Sequence, residues 1–248
     1  MFYLESLIVR LFMISQIFQV GTIKSLLTDV CLGDVSIEEL TKYGNFGIGT
    51  FDYLEGEMII LDGIVYKTEP NGQIILADTN EKIPFAAVTF FDSQLSFSLK
   101  NIENLHSLEH ELLKHFPSYN YIYAVKISGN FSNVKLRCAQ KIENKKIPLH
   151  EHLIKNQSKF NLTNSKGTII GVWSPWYLKE VSVSGFHLHY INSEKRVGGH
   201  LVDFEMANLD VEIMTIKQFT FQMIGSRDFE KANLNQHMQD IISEAEKK

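Results

Sequence analysis

The chain has 248 residues, 44% of them hydrophobic, which is enough apolar material for one large domain or two small ones with a real core. Its formal net charge is -5 with a pI near 6.0, and the densest basic run, KIENKK at 141–146, carries a glutamate, so nucleic acid is excluded as an expected partner. Cys31 and Cys138 stand far apart without CxxC spacing, so neither a disulfide framework nor a thiolate zinc site is expected.

The N-terminal stretch MFYLESLIVRLFMISQIF is apolar, but Glu5 and Arg10 interrupt it, and it lacks a basic leader and a small-residue cleavage site. It reads as neither signal peptide nor membrane span, and the chain as soluble and cytoplasmic, with no membrane partner. Ser36-Ile37-Glu38-Glu39 matches a capping box and opens a short helix that ends by Gly44. FGIGTF, EMIIL, IVYK and QIIL follow as short β-prone runs separated by LEG, DG and PNG, which is an antiparallel meander. Ile102, Leu105, Leu108, Leu112, Leu113 and Phe116 form a helical stripe that would lie against the sheet.

Two strands, YIYAVKI and NVKLRCA, are expected next, joined at SGNFS. Residues 141–167 read as a polar connection with a short surface helix at LHEHL (His150, His152), after which GTIIGVW, VSVSGFHLHYI, GHLVDFEM and LDVEIMTI form a new strand set. The expected class is α+β: two mixed, largely antiparallel β-sheet domains with a few flanking helices. The division falls near 165, giving an N-terminal domain over 1–165 and a C-terminal domain over 166–248 that ends in a helical tail.

Three histidines stand out within GFHLHYINSEKRVGGH (185–200). On a strand, His187 and His189 share a face, while Phe186, Leu188 and Tyr190 point the other way into a core. A turn centred on Ser193-Glu194 would set His200 opposite His187 and Gly198 opposite His189, so that three imidazoles converge. Gly198 and Gly199 would leave open space for an ion and a substrate. Three neutral nitrogens with an open position suit a catalytic zinc site.

Two other patterns compete. HSLEH (106–110) fits the H-x-x-E-H pattern of inverted zinc peptidases, but its neighbours form an ordinary amphipathic helix, so His106 and His110 read as polar-face residues. His187-x-His189 followed by Glu194 resembles the first metal motif of the cupins. Against that stand Glu194 in the expected turn and His200 too early for the second cupin motif. The alternative function is accordingly a cupin-like metalloenzyme using His187, His189, Glu194 and His200.

YGNFGIGTFDYLEGEMIILDGIVY (43–66) and GTIIGVWSPWYLKEVSVSGFHLHYINSEKRVGGHLVDFE (167–205) closely resemble the acetolactate decarboxylase family, with similarity from about Gln16 to the C-terminus. The resemblance implies a zinc-dependent conversion of 2-acetolactate to acetoin and carbon dioxide without an organic cofactor, in a homodimer. It implies His187, His189 and His200 as metal ligands, and Glu57 and Glu246 as carboxylates reaching the site, with Glu244 the competing assignment for the second. It also implies Arg137 as the active-site arginine and Thr50 as a polar residue lining the pocket. Read alone, Glu57 is either an exposed strand end or a buried functional group. Arg137 shares a face with Lys135 and Ala139 and reads as exposed, and Thr50 as an ordinary β-former.

The chemistry agrees with that set. Loss of carbon dioxide from a β-keto acid leaves an electron pair that must flow into the ketone to give an enediolate. Zinc, or another divalent metal, serves as the Lewis acid. Arg137 would orient the carboxylate, and Glu57 or Glu246 would return the proton. GIGTF lacks the rest of a dinucleotide fingerprint.

Overall fold

A computed structural model describes residues 15–143, 149, 152 and 155–235. Its strands in chain order begin with β1 (Gln16–Val20), β2 (Val35–Ser36), β3 (Phe46–Thr50), β4 (Glu57–Leu61), β5 (Ile64–Thr68), β6 (Ile74–Leu76) and β7 (Lys82–Ile83). They continue with β8 (Phe85–Thr89), β9 (Leu95–Ile102), β10 (Ile122–Ala139), β11 (Gln157–Ser174), β12 (Gly185–Asn192), β13 (Gly198–Ile216) and β14 (Gln218–Gln222). Few helices accompany them, and the class is α+β. No helix among the described residues is long and apolar enough to cross a membrane.

The first sheet runs β14-β1-β8-β3-β4-β5-β6. Its β3-β4-β5-β6 portion is the expected meander, each neighbour pairing antiparallel. Only β1 and β14 pair in parallel among the described strands. Ser36 caps the helix Ile37–Leu40 as its spacing predicts, accepting from the Glu39 N–H at 3.2 Å.

The second sheet runs β10-β11-β12-β13-β9, and β10 also pairs with β13, so the ladder closes on itself. Inside the curl lies a core of Tyr123, Val125, Leu136, Leu188, Tyr190 and Phe204, capped by Leu108 and Leu112 of the helix Leu105–Lys114. Phe186, Leu188 and Tyr190 face this core, as alternation requires. The other face of the same strands meets the first sheet through Ile170, Val172 and Ile191 packed with Ile48, Ile59 and Ala87.

Several sequence expectations change here. SGNFS is no turn: β10 is one continuous strand through it, because β11 and β13 flank it on both sides and satisfy its backbone groups along nearly its whole length. GHLVDFEM and LDVEIMTI likewise belong to the single strand β13. β11 begins at Gln157, inside the stretch read as a connection. Residue 165, where the chain was expected to divide, pairs with Phe131 in the middle of that strand. The first sheet also takes β14 from beyond that point, and the second takes β9 and β10 from before it.

The hairpin of β12 and β13 docks on the first sheet through main-chain hydrogen bonds, Gly198 N–H to Gly72 O at 3.0 Å and Ile74 N–H to Arg196 O at 2.9 Å. At Gly198 a Cβ would stand 2.7 Å from Tyr190 O and 2.9 Å from Ile74 Cδ1. The glycine permits this close approach rather than leaving room for a ligand, which corrects the expectation of open space there; a Cβ on Gly199 would likewise meet Cys138 Sγ at 3.0 Å. Gly198→Val is expected to lower the unfolding free energy by on the order of 1–3 kcal/mol through overpacking. Urea denaturation checks this, and a wild-type midpoint in the variant contradicts it.

Candidate functional site

The three histidines meet on the face of the second sheet that looks toward the first. The candidate ligand atoms of His187, His189 and His200 lie within 4.8 Å of one another. Ring centroids are 5.1 Å apart for His187 and His189, 5.2 Å for His187 and His200, and 5.5 Å for His189 and His200. His200 stands opposite His189, not His187, and Gly198 opposite Ile191. The turn is longer than expected: Asn192 N–H donates to Val197 O at 2.9 Å and Lys195 adopts φ 57°. The displacement is two residues, an even number, so the histidines keep a common face.

His200 owes its direction to a bulge. Lys135 pairs with Asp203 but Leu136 with Leu201, leaving Val202 as an extra residue in β13. Without it Arg137 would face Leu201, and His200 would turn to the opposite side; with it His200 pairs with both Arg137 and His189. Arg137 is buried, which corrects the reading as exposed: its face meets the first sheet instead of water. Its Nη2 contacts His200 Nε2 at 3.1 Å and its Nη1 donates to Gln157 Oε1 at 3.2 Å.

His189 is fully buried, and its Nδ1–H donates to the Met58 carbonyl at 2.9 Å, a partner that can only accept. Nε2 therefore carries the lone pair. That atom is buried without a hydrogen-bond partner, and Glu57 Oε2 stands 3.5 Å away. A cation held by His187, His189 and His200 would take up this lone pair, with the Glu57 carboxyl group beside it. An imidazole oriented through its second nitrogen by a carbonyl is the usual support of a metal-ligating histidine.

All three imidazoles are held neutral. Burial pushes His187 well below the ordinary histidine range, with His189 and Arg137 adding to it. Burial brings His189 down to about 4, against the opposing Met58 hydrogen bond. His200 is lowered well below the ordinary range by burial, then by Arg137 and the other two rings. Neutral imidazole is the form that binds metal.

Glu57 sits at the start of β4, after a turn in which Tyr53 and Leu54 have φ 57° and Gly56 has φ 92°. A Cβ on Gly56 would lie 2.1 Å from Thr68 O, so the backbone path there accepts only glycine. Thr50, opposite Glu57 in the ladder, donates its hydroxyl to Gly56 O at 2.9 Å. The side chain of Glu57 is 15% exposed and Oε1 accepts from Ala139 N–H at 3.4 Å. Of the two readings left open for it, its burial excludes the exposed strand end.

A cavity of ≈ 60 Å³ adjoins these groups. Thr50, Glu57, Arg137, Gln157, His187 and His200 supply its polar lining, and Leu27 and Phe85 belong to its apolar wall. Gln157 and the Met58 carbonyl carried no sequence signal: the first lay in a presumed connection, and the second is a backbone group.

The remaining candidates separate cleanly. Glu194 is exposed in the turn, bonded to Asn192 Nδ2 at 2.9 Å and Ser193 Oγ at 3.0 Å, so the cupin-like ligand set is not assembled. His106 and His110 are exposed on their helix, as read. His152 lies in a helical segment, as read, but is buried, with Nε2 2.8 Å from Gln140 O, which corrects its reading as a surface residue. His150, Glu244 and Glu246 lie outside the described residues.

A sequence model of the alpha-acetolactate decarboxylase family matches residues 17–236. The alpha-acetolactate decarboxylase of Methanosarcina mazei is 39% identical over 93% of this chain and 80% of its own length. That of Bacillus subtilis is 36% identical over 90% of this chain and 87% of its own. The crystal structure of the Bacillus subtilis strain 168 enzyme superposes with a TM-score of 0.89 at 35% identity, covering 94% of this chain and 98% of that one.

The histidine environment makes a pH prediction for metal-free protein. Above pH 6.5 the imidazoles are neutral folded and unfolded alike. Below it the unfolded chain takes up protons that the folded site refuses, down to about pH 4 at His189. Stability therefore falls as pH drops from 6.5, by on the order of 1 kcal/mol per pH unit for each such histidine. Urea unfolding at pH 7 and pH 5 measures it, with a shallower slope expected in His189→Gln; equal slopes in the two proteins contradict the assignment.

Proposed function

We propose that this chain, which belongs to the alpha-acetolactate decarboxylase family, converts 2-acetolactate to acetoin and carbon dioxide beside a divalent cation held by His187, His189 and His200. The chain is a carboxy-lyase. The observation that carries the metal reading is the buried lone pair of His189 Nε2, lacking a hydrogen-bond partner and 3.5 Å from the Glu57 carboxylate. Imidazole donors with room beside them suit zinc in a catalytic setting. When bound, the cation supplies Lewis acidity that draws charge from the substrate ketone.

The residues of the chain do the rest. Arg137, fixed in a buried position, receives the negative end of the substrate and holds the breaking C–C bond in one orientation. As that bond breaks, its electron pair moves into the ketone to give an enediolate. Glu57, protonated from solvent before each turnover, then delivers that proton to the carbanionic carbon from one side, which sets the configuration of acetoin. Glu246 is the second carboxylate in this reading. Thr50 has its hydroxyl proton committed to Gly56 O and acts by holding the turn that presents Glu57. Leu27 and Phe85 keep water from the reacting carbon.

Two outcomes are expected. Stripping divalent metal with a chelator abolishes acetoin formation and zinc restores it; full activity in metal-free protein rejects the cation's role. Glu57→Gln lowers kcat by about 10²- to 10⁴-fold while metal analysis still finds the wild-type zinc content. Loss of zinc in that variant would instead make Glu57 a ligand.

A further inference from the structure

Gln157 opens β11 opposite Ala139 and lines the cavity, yet it has no part in the chemistry above. Its amide has one permitted orientation. Arg137 Nη1 approaches Oε1 at 3.2 Å, and a guanidinium has only donors, so the oxygen end must face the arginine. The NH2 end is thereby turned away from it. Among the described residues no acceptor takes a hydrogen bond from Nε2.

The polar groups around the cavity divide by chemistry. The neutral histidines and Glu57 surround the cation position. The Thr50 hydroxyl donates to Gly56 O. The Gln157 NH2 is thus the lining donor that neither a protein acceptor nor the cation site claims, and it sits beside the guanidinium. A neutral donor next to a fixed positive charge adds a second hydrogen bond for a carboxylate without adding repulsion toward the cation.

We propose that Gln157 binds substrate, its amide NH2 donating to the carboxylate of 2-acetolactate alongside Arg137. The pair then holds the carboxylate at one end of the cavity while the ketone faces the histidines. The inference rests on the decarboxylase reading, which acetoin formation by the wild-type protein tests separately.

Gln157→Glu separates binding from mere support of Arg137. Glutamate keeps an acceptor for the guanidinium but removes the NH2 donors and puts a negative charge against an anionic substrate. In zinc-loaded protein the KM for 2-acetolactate is expected to rise about 10- to 100-fold, with kcat less affected. The inhibition constant of 2-hydroxyisobutyrate, an unreactive 2-hydroxy acid, should rise in parallel, with zinc content unchanged. Gln157→Leu, which loses both roles without adding a charge, should also weaken inhibitor binding, by a smaller factor. Values for Gln157→Glu within about threefold of wild type would reduce Gln157 to a support for Arg137 and overturn the proposal. If the glutamate variant does not fold, unchanged inhibition of Gln157→Leu overturns it in the same way. Absence of acetoin formation by wild-type protein would instead strike the underlying function.

Discussion

The hydrogen bond from His189 Nδ1 to the Met58 carbonyl is the contact on which the candidate site turns. It joins the two sheets at the point where β12 crosses β4. It also fixes one tautomer, because a carbonyl can only accept, and leaves the opposite nitrogen with a lone pair and no proton. That lone pair is buried without a hydrogen-bond partner, 3.5 Å from Glu57 Oε2. Burying an unsatisfied acceptor costs free energy of the order of 1–3 kcal/mol. A cation would offset that cost, so the site is built for an occupant rather than for stability in its absence.

The rest of the site depends on backbone irregularities that place side chains against the ordinary alternation. The bulge at Val202 turns His200 toward Arg137 and His189. The left-handed turn from Tyr53 to Gly56 delivers Glu57 at the mouth of β4. Strain of this kind persists where surrounding contacts over-determine it, and here Thr50 and Ala139 grip the turn and the carboxylate that follows it. The close approach at Gly198 brings the β12–β13 hairpin against the first sheet. Each feature acts through position, and each lies next to a residue with a proposed role.

The elements were legible where a local pattern had one physical solution. The meander from Phe46 to Leu76 followed from β-prone runs broken by turn residues, and the helix over Leu105–Lys114 from its apolar stripe. SGNFS misled because glycine and serine tolerate turns without requiring them. Flanking strands on both sides decided for extended backbone. Arg137 misled for a related reason: alternation tells which residues share a face, but not whether that face meets water or a second sheet.

The sequence by itself determined the class of the fold, the shared face of His187 and His189, and, through its long motifs, the family. These follow from periodicity and side-chain chemistry, which act over a few residues. Only the tertiary structure decided that His200 pairs with His189, that Glu194 points to solvent, and that Gly198 is filled space rather than open space. Those outcomes depend on turn length, a bulge and the packing of one sheet on another. The bulge and the sheet packing are set by contacts between residues remote in the chain, and the turn by local hydrogen bonds of Asn192 that the residue spacing does not record.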